Sequence, residues 1–425
     1  MKITQTAQKI KVNFAMDVSV DVHKDMLNFF FETKGKEYAD ECSNRTTVIK
    51  KKLKEYHEIA LEHGMKTLRI ICEPTGEYQN KLFRTARKMG YLTCFVNAES
   101  VAKFRMVESN DNGKTDTKDP RVIRTLGQLN KTIKHRILDD DYLTLRKLNK
   151  VLDELDDIKK DIRSRVSRLL VELFCDYSFE KDFLYRSSGK ALVDQYGCNP
   201  YRIVKAGYKR FCNNMKKSVP RIKDTTLKRL WDDAQNSALN EQPEAYIEVI
   251  ETQLRQLTED YRRHESRSAE VIAKMIDILN RLREKDPNIP KATQGVINDK
   301  HIARLLGETG PLNDFANWRM LIRYAGLNIR MRQSGRYSGQ NKITKKGRPL
   351  LRKVLQRIVF PLVRKNWLYG PYYHRRKEID NMPGSKIITC VSRHFLKKFY
   401  GWYKSGEAFS QQRFFSCETQ YRKAA

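Results

Sequence analysis

The sequence has no apolar run near the roughly 18 residues that a membrane span requires, so no segment reads as a transmembrane helix. Its eight cysteines, at 42, 72, 94, 175, 198, 212, 390 and 417, include no C-x-x-C pair. That spacing argues against a structural zinc ribbon and fits buried, reduced thiols. The opening residues, MKITQTAQKIKV, lack the apolar centre of a signal peptide. These absences give the expectation of a cytoplasmic protein. Low-complexity tracts and convincing internal repeats are also missing. Acidic residues are scarce: 51 Asp and Glu stand against 83 Lys and Arg, a net charge of +32.

A positive excess of this size repels itself in a compact chain unless a polyanion neutralises it. Nucleic acid is therefore the expected partner, and a nucleoid-associated location follows. A basic ribosome-associated factor is the plainer alternative. A membrane surface fits less well, because the cations run through folded-looking sequence rather than one amphipathic tail. At 425 residues the chain has room for two or three domains.

Residues 11–20 and 25–33 read as two strands joined by a polar turn, followed by a helix at 46–63 and a buried strand at 67–73. A helix from about 77 to 90, a strand at 91–97, and helices at about 98–107 and 119–130 complete the first third. This order predicts a mixed sheet with helices on its faces. From Leu145 the pattern changes to 3-4 spacing, through Leu148, Leu152, Leu155, Ile162, Val166, Leu169 and Leu173. A second seam runs from Ile247 to Leu282, with His264 and Ser268 at its weak centre. The two predict a pair of long helices, joined to each other as an antiparallel arm, joined to another copy, or packed singly on a domain. The segment at about 176–243 reads as an irregular inserted subdomain. Beyond KDPNIPK, where two prolines preclude a continuous helix, residues 299–326 read as helical. Residues 330–357 carry ten Lys and Arg and no acid. The tail from 366 interleaves aromatics with cations, which suits either base stacking or a packed helical hairpin.

Four acidic residues stand out against this background. Asp17 lies in VNFAMDVSV, Glu73 closes LRIICEPTG, and Asp116 and Asp119 lie in KTDTKD. Carboxylates at strand ends, with two more at i, i+3 on one helical face, suit two-metal phosphoryl transfer, in which hard Mg²⁺ ions take oxygen ligands. Taken alone, Asp116 reads as a helix cap. The flanking Lys114 and Lys118 suit phosphate or solvent.

The loop RMRQSGRYSGQNKITKKGRPLLRK supplies Arg330, Arg332, Arg336, Lys342, Lys345, Lys346 and Arg348 as candidate phosphate contacts. Its glycines permit close backbone approach. Ser334 and Ser338 each precede a glycine. Taken alone, such a serine reads as a phosphate contact; flanked by Arg332 and Arg336 it also has the cations a nucleophile would need.

These stretches resemble the DEDD transposases of the insertion-sequence 110 family, also called bridge RNA-guided recombinases. MDVSVDVH looks like that family's opening strand, with Asp17 taken as its first acid. ICEPTGEY is similar to its Glu-Pro-Thr-Gly box, at Glu73. KTDTKDPRVI resembles its Lys-Thr-Asp-x-x-Asp helix, at Asp116 and Asp119. LIRYAGLNIRMRQSGRYSGQNKITKKGRPLLRKVL resembles its Tyr-Ala-Gly-Leu to Ser-Gly to Ile-Ser-Lys-Arg-Gly motif, which puts the nucleophilic serine at Ser334. The resemblance covers most of residues 10–130 and about 300–360. The chain departs from the pattern at IPKATQG and ITKKG, and carries the 176–243 insertion and a long tail in addition.

The resemblance implies an α/β, RuvC-like (ribonuclease H-type) domain at 1–135. Coiled-coil helices at 136–285 and a mainly helical transposase domain at 286–425 would follow. It implies Mg²⁺, donor and target DNA, a noncoding bridge RNA, and a homo-oligomer, dimer to tetramer, pairing the acids of one subunit with the serine of another. The chemistry would pass through a covalent phosphoserine. A hydrolytic RuvC-like Holliday-junction nuclease and a non-catalytic nucleic-acid scaffold are the alternatives.

Overall fold

The computed structural model describes residues 14–109, 118–180, 182–330, 333–334, 337–339, 342–364 and 369–414, with only the backbone at 108, 109, 118, 333, 334, 337 and 338. The chain divides into two compact units, Met1–Ile137 and Leu138–Ala425.

The first unit is a six-stranded mixed sheet with helices on both faces. Its elements are β1 (Ala15–Val22), β2 (Met26–Thr33), β3 (Lys36–Ser43), α1 (Thr46–Glu62), β4 (Thr67–Cys72), α2 (Asn80–Lys88), β5 (Leu92–Val96), α3 (Ala98–Ser109), α4 (Lys118–Gln128) and β6 (Thr132–Lys134). The spatial order is β3-β2-β1-β4-β5-β6. β1, β4 and β5 are parallel, and the remaining pairs are antiparallel. This is the expected RuvC-like architecture.

Side-chain alternation separates the two faces. Met16, Val18, Val20 and Val22 of β1 join Leu27, Phe29 and Phe31 of β2 and Leu68, Ile70 and Cys72 of β4 in one core. α1 covers it with Ile49, Leu53, Tyr56 and Ala60, spaced at helical intervals. On the opposite face Ile71, Cys94 and Val96 pack against Val122, Ile123 and Leu126 of α4. Asp17, Ser19 and Asp21 of β1 alternate with the first core's residues and point to that second face. A third strand, β3, had no expectation behind it, because KEYADECS has no apolar rhythm. It is an edge strand, where charge discourages further pairing. Lys34 and Gly35, at φ 45° and 76°, form the two-residue turn that creates it.

The second unit is mainly helical. α5 (Asp140–Leu173) leads into α6 (Ser187–Tyr196), α7 (Pro200–Ala206), α8 (Tyr208–Ser218) and α9 (Asp224–Ala238), and then α10 (Glu244–Lys285) returns. α5 and α10 pair with each other, antiparallel: Lys285 and Arg281 at the end of α10 bridge to Asp141 at the start of α5, at 2.7 and 3.0 Å. Within the chain the two helices pair with each other, and Leu145, Leu152, Met275 and Leu279 also enter the core that the helices after α10 complete. The seam itself shifts slightly. Asn149 and Leu170 are buried where Leu148 and Leu169 are only partly so.

The 176–243 segment is ordered rather than irregular. Phe174, Leu184, Leu192, Ile203, Phe211, Met215, Leu227 and Leu230 close a core with Ile162, Val166 and Leu254 of the long helices. Short helices of 7 to 15 residues carry little periodic signal, so only tertiary packing marks them.

α11 (Asp299–Thr309) and α12 (Trp318–Tyr324) precede two small hairpin ladders. β7 (Ile329–Arg330) pairs with β10 (Lys342–Ile343), and between them β8 (Gln333–Ser334) pairs with β9 (Tyr337–Ser338). α13 (Pro349–Arg364), α14 (Gly370–Glu378), α15 (Gly384–Ser405) and α16 (Gln411–Phe414) complete the unit. Phe395, Phe399, Tyr400 and Tyr403 of α15 are buried in the same cluster as Leu145, Met275 and Leu351. These tail aromatics therefore serve packing, and of the two roles open to the tail the helical hairpin is the one found. Among the described residues, no helix is long and apolar enough to cross a membrane.

Candidate active site

The register of β1 against β4 decides which acids meet. Asp17 pairs with Arg69, and Val20 with Cys72, so the next residues along, Asp21 and Glu73, stand side by side at the carboxyl ends of the two strands. Burial pushes the Cys72 thiol well above its usual range, and Cys94, Glu73 and Asp21 nearby push it further. Asp21 is buried, with His23 at 3.2 Å from its carboxylate. The Glu73 loop turns at Gly76, φ 75°. Buried Gln79 braces it, accepting from the Thr75 amide at 3.2 Å and donating to the Gly76 carbonyl at 2.8 Å.

Asp17, expected as the first acid of the site, lies on the same face of β1 and pairs with Arg69. Arg69 Nε and Nη2 donate to its two carboxylate oxygens at 2.6 and 2.5 Å. Both side chains are mostly buried, so each neutralises the other in a place where an unpaired charge would be costly. α4 closes over this pair. Gly127 has no side chain to keep it away; a Cβ there would lie 2.5 Å from Ile71 Cδ1 and 3.7 Å from Asp17.

α4 runs antiparallel to β1. Gly127 sits over Asp17, and Arg124 reaches Glu32 at 2.6 Å. One turn earlier Arg121 lies over Phe30, the register partner of Ser19. Asp119 lies two residues before Arg121, in the first turn of the helix. Asp119 is buried, and Arg105 of α3 donates to its Oδ1 at 2.7 Å through Nε. Asp116 and Lys114 lie outside the described residues, as does the side chain of Lys118. Among the described residues, no three His, Cys, Asp or Glu side chains form a group that would hold an ion. Asp21 and Glu73 do supply two hard oxygen ligands at adjacent register positions, the chemistry that Mg²⁺ requires.

In the second unit, Ser334 lies on β8 opposite Tyr337. The base of this hairpin is a glycine contact. A Cβ on Gly347 would sit 2.4 Å from the Gly326 nitrogen and the Tyr324 oxygen, and Gly326 itself has φ 69°. Backbone bonds from Lys345 to Gly326 and from Arg348 to Tyr324, at 3.0 and 3.1 Å, lock the two segments together. The Tyr-Ala-Gly-Leu and Lys-Lys-Gly-Arg motifs are thus the two sides of one joint.

Arg330, Lys342, Lys345 and Lys346 are exposed beside the hairpin, while Arg332 and Arg336 lie outside the described residues. Arg348, expected on phosphate, is also tied inward. Its Nε donates at 2.7 Å to Glu308, a carboxylate with no exposure at all, which also accepts from Asn149 at 2.9 Å. Arg146 of α5 adds bonds to the carbonyls of Gly307 and Glu308, both at 3.0 Å. A buried acid of this kind needs a counter-charge, and Arg348 provides it.

Asp21, Arg69, Glu308 and the Gly326–Gly347 contact were not marked by sequence reasoning. A signal existed for Asp21: MDVSVDVH holds two aspartates, four residues apart, on one face of the strand.

Two acids at the carboxyl ends of adjacent strands of a RuvC-like sheet thus stand in one chain with a helical unit that carries a basic, serine-bearing hairpin. A model described as a transposase, for DEDD enzymes of the IS110 type, matches residues 18–175, and one described as the transposase IS116/IS110/IS902 family matches residues 295–374. The chain belongs to the IS110 family of DEDD transposases. No curated protein matches the sequence.

Proposed function

We propose that this transposase is a bridge RNA-guided DNA recombinase in which Ser334 is the nucleophile and Asp21, Glu73, Asp116 and Asp119 are the metal ligands. Asp21 replaces Asp17 in that set. What supports Asp21 is the register, which sets it beside Glu73; an arginine pairs with Asp17, and another with Asp119, so an arginine partner alone excludes neither. Bound Mg²⁺ would stabilise charge on the phosphodiester oxygens.

Ser334 Oγ attacks phosphorus and gives up its proton. The bond from phosphorus to a sugar oxygen breaks, and that oxygen leaves as a hydroxyl. A sugar hydroxyl of the exchanging strand then attacks the phosphoserine and restores Ser334. Arg330 and Lys342, opposite one another at the hairpin's stem, would hold the phosphate backbone. Donor and target DNA are the substrates and a noncoding RNA the guide. A homo-oligomer, dimer to tetramer, would bring the acids of one copy to the serine of another.

The test is trapping on suicide DNA substrates with the cognate RNA. The parent protein should become covalently attached to a DNA end, and Ser334→Ala should lose both adduct and strand exchange. Mg²⁺-dependent cleavage that survives in Ser334→Ala, with no adduct in the parent, would indicate a hydrolytic junction nuclease. Binding without any cleavage would indicate a scaffold.

A further inference from the structure

The helical insertion at the end of the α5–α10 arm has a polarised surface. Residues 199–229 contain ten Lys and Arg and one acid, Asp224; the next stretch, 230–251, contains six acids and no Lys or Arg. Some of the cations have internal partners. Arg202 pairs with Glu251, Lys216 with Asp224, and Arg229 stacks on Phe179. Lys205, Lys209, Arg210, Lys217, Arg221 and Lys223 are exposed, and none has an ion pair among the described residues. They stand on α7, on α8 and on the loop that follows; helical spacing sets Lys209, Arg210 and Lys217 on one side of α8, and the buried Ile203, Phe211, Met215 and Ile222 anchor these segments.

An open cleft of about 510 Å³ lies on this face, lined by Tyr208, Lys209, Arg210, Asn213 and Asn214. Tyr208 is 44% exposed and is steadied by an edge contact with Trp231. A protein that needed only solubility would gain it from mixed charge, without gathering unpaired cations on one face and acids on the next stretch. Unpaired cations beside an exposed aromatic ring and side-chain amides match a phosphodiester backbone with an unstacked base.

We infer that the insertion is a nucleic-acid-binding module whose α7–α8 face grips a phosphodiester backbone, with Tyr208 offering a platform for a base. This surface is distinct from the acidic site and from the serine hairpin. Its test does not depend on whether Ser334 is the nucleophile.

The experiment measures the affinity of the full chain for two probes, a random-sequence DNA duplex and an RNA hairpin with a single-stranded loop, over a series of salt concentrations. A Lys209→Glu/Arg210→Glu/Lys217→Glu variant is compared with Lys50→Glu/Lys51→Glu/Lys54→Glu, which removes the same charge from the exposed face of α1. Affinity for at least one probe should fall about tenfold in the first variant, and the salt slope should shrink by roughly 0.7–0.9 per lost contact. Loss with DNA alone assigns the face to duplex, loss with RNA alone assigns it to the guide, and a further loss in Tyr208→Ala with RNA supports stacking. Equal effects of both triple variants, or no change in either, would overturn the inference. Should the variant fail to fold, acetylation of the parent protein decides. Lys205, Lys209, Lys217 and Lys223 should be protected by bound nucleic acid, and unchanged reactivity would count against the proposal.

Discussion

Arg69 holds both carboxylate oxygens of Asp17, at 2.6 and 2.5 Å, four residues before the point on each strand where Asp21 meets Glu73. One face of the sheet thus carries an arginine–aspartate pair and, about 13 Å further along the strand, two carboxylates at adjacent register positions.

Asp21→Asn should abolish Mg²⁺-dependent DNA cleavage while leaving the fold intact. Asp17→Asn should instead destabilise by about 3 kcal/mol, because Arg69 is left mostly buried and unpaired. The double variant Asp17→Asn/Arg69→Gln should recover much of that stability and retain cleavage. Denaturant midpoints and a cleavage assay on the three proteins check this. A stable but inactive double variant would restore Asp17 to the metal set.

The glycine joint under the serine hairpin permits no side chain. Gly347→Ala places a methyl group 2.4 Å from backbone atoms of Tyr324 and Gly326, and should cost about 1–3 kcal/mol. The loss should be local. Hydrogen exchange is expected to quicken at Lys345 and Arg348, whose amides close the joint, and to stay unchanged in the first unit. Exchange that rises evenly through both units would contradict it.

Glu308 ties α5, α11 and the base of the hairpin together. Glu308→Gln should lower the thermal midpoint by leaving the Arg348 charge without its partner, at a cost of about 3 kcal/mol. Arg348→Gln in the same protein should return part of the loss, with a coupling measurable by a double-mutant cycle. Additive losses would mean that the two side chains act separately.

Two histidines set a pH dependence. Burial, reinforced by Lys300, Arg304 and Arg357, lowers His301 to about 4. Burial, with Lys398 and Lys397, does the same for His394. The unfolded chain binds these protons near pH 6.5, so it takes them up first as pH falls. The contribution of the two imidazoles to stability is complete above about 6.5 and is lost between there and about 4. Urea midpoints measured across that window should show up to two protons taken up on unfolding. His301→Gln/His394→Gln should flatten the curve, and an unaltered slope would refute the assignment.

Periodicity was enough to read the sheet with its flanking helices and the two long helices, because their apolar spacing runs for whole elements. β3 and β6 carry little signal because edge strands bury little, although Lys34-Gly35 marks the turn into β3. The insertion looked irregular because its apolar residues complete a core begun by α5 and α10, and a short helix does not reveal its own neighbours. Two aspartates on one face of a strand, Asp17 and Asp21, are indistinguishable until the neighbouring strand is placed. In parallel strands a shift of four residues separates an arginine partner from a glutamate partner.

The sequence by itself determined the class of partner, through a charge of +32, and the presence of acid, serine and glycine motifs in a consistent order. Tertiary structure decided which of those residues act together. Register gave Asp21 to Glu73 and Asp17 to Arg69, and helix packing turned Arg348 inward to Glu308. Long-range electrostatics depends on composition, which a sequence states. Neutralisation of a particular charge depends on a neighbour a few ångströms away, and that neighbour can be 52 residues distant along the chain, as Arg69 is from Asp17.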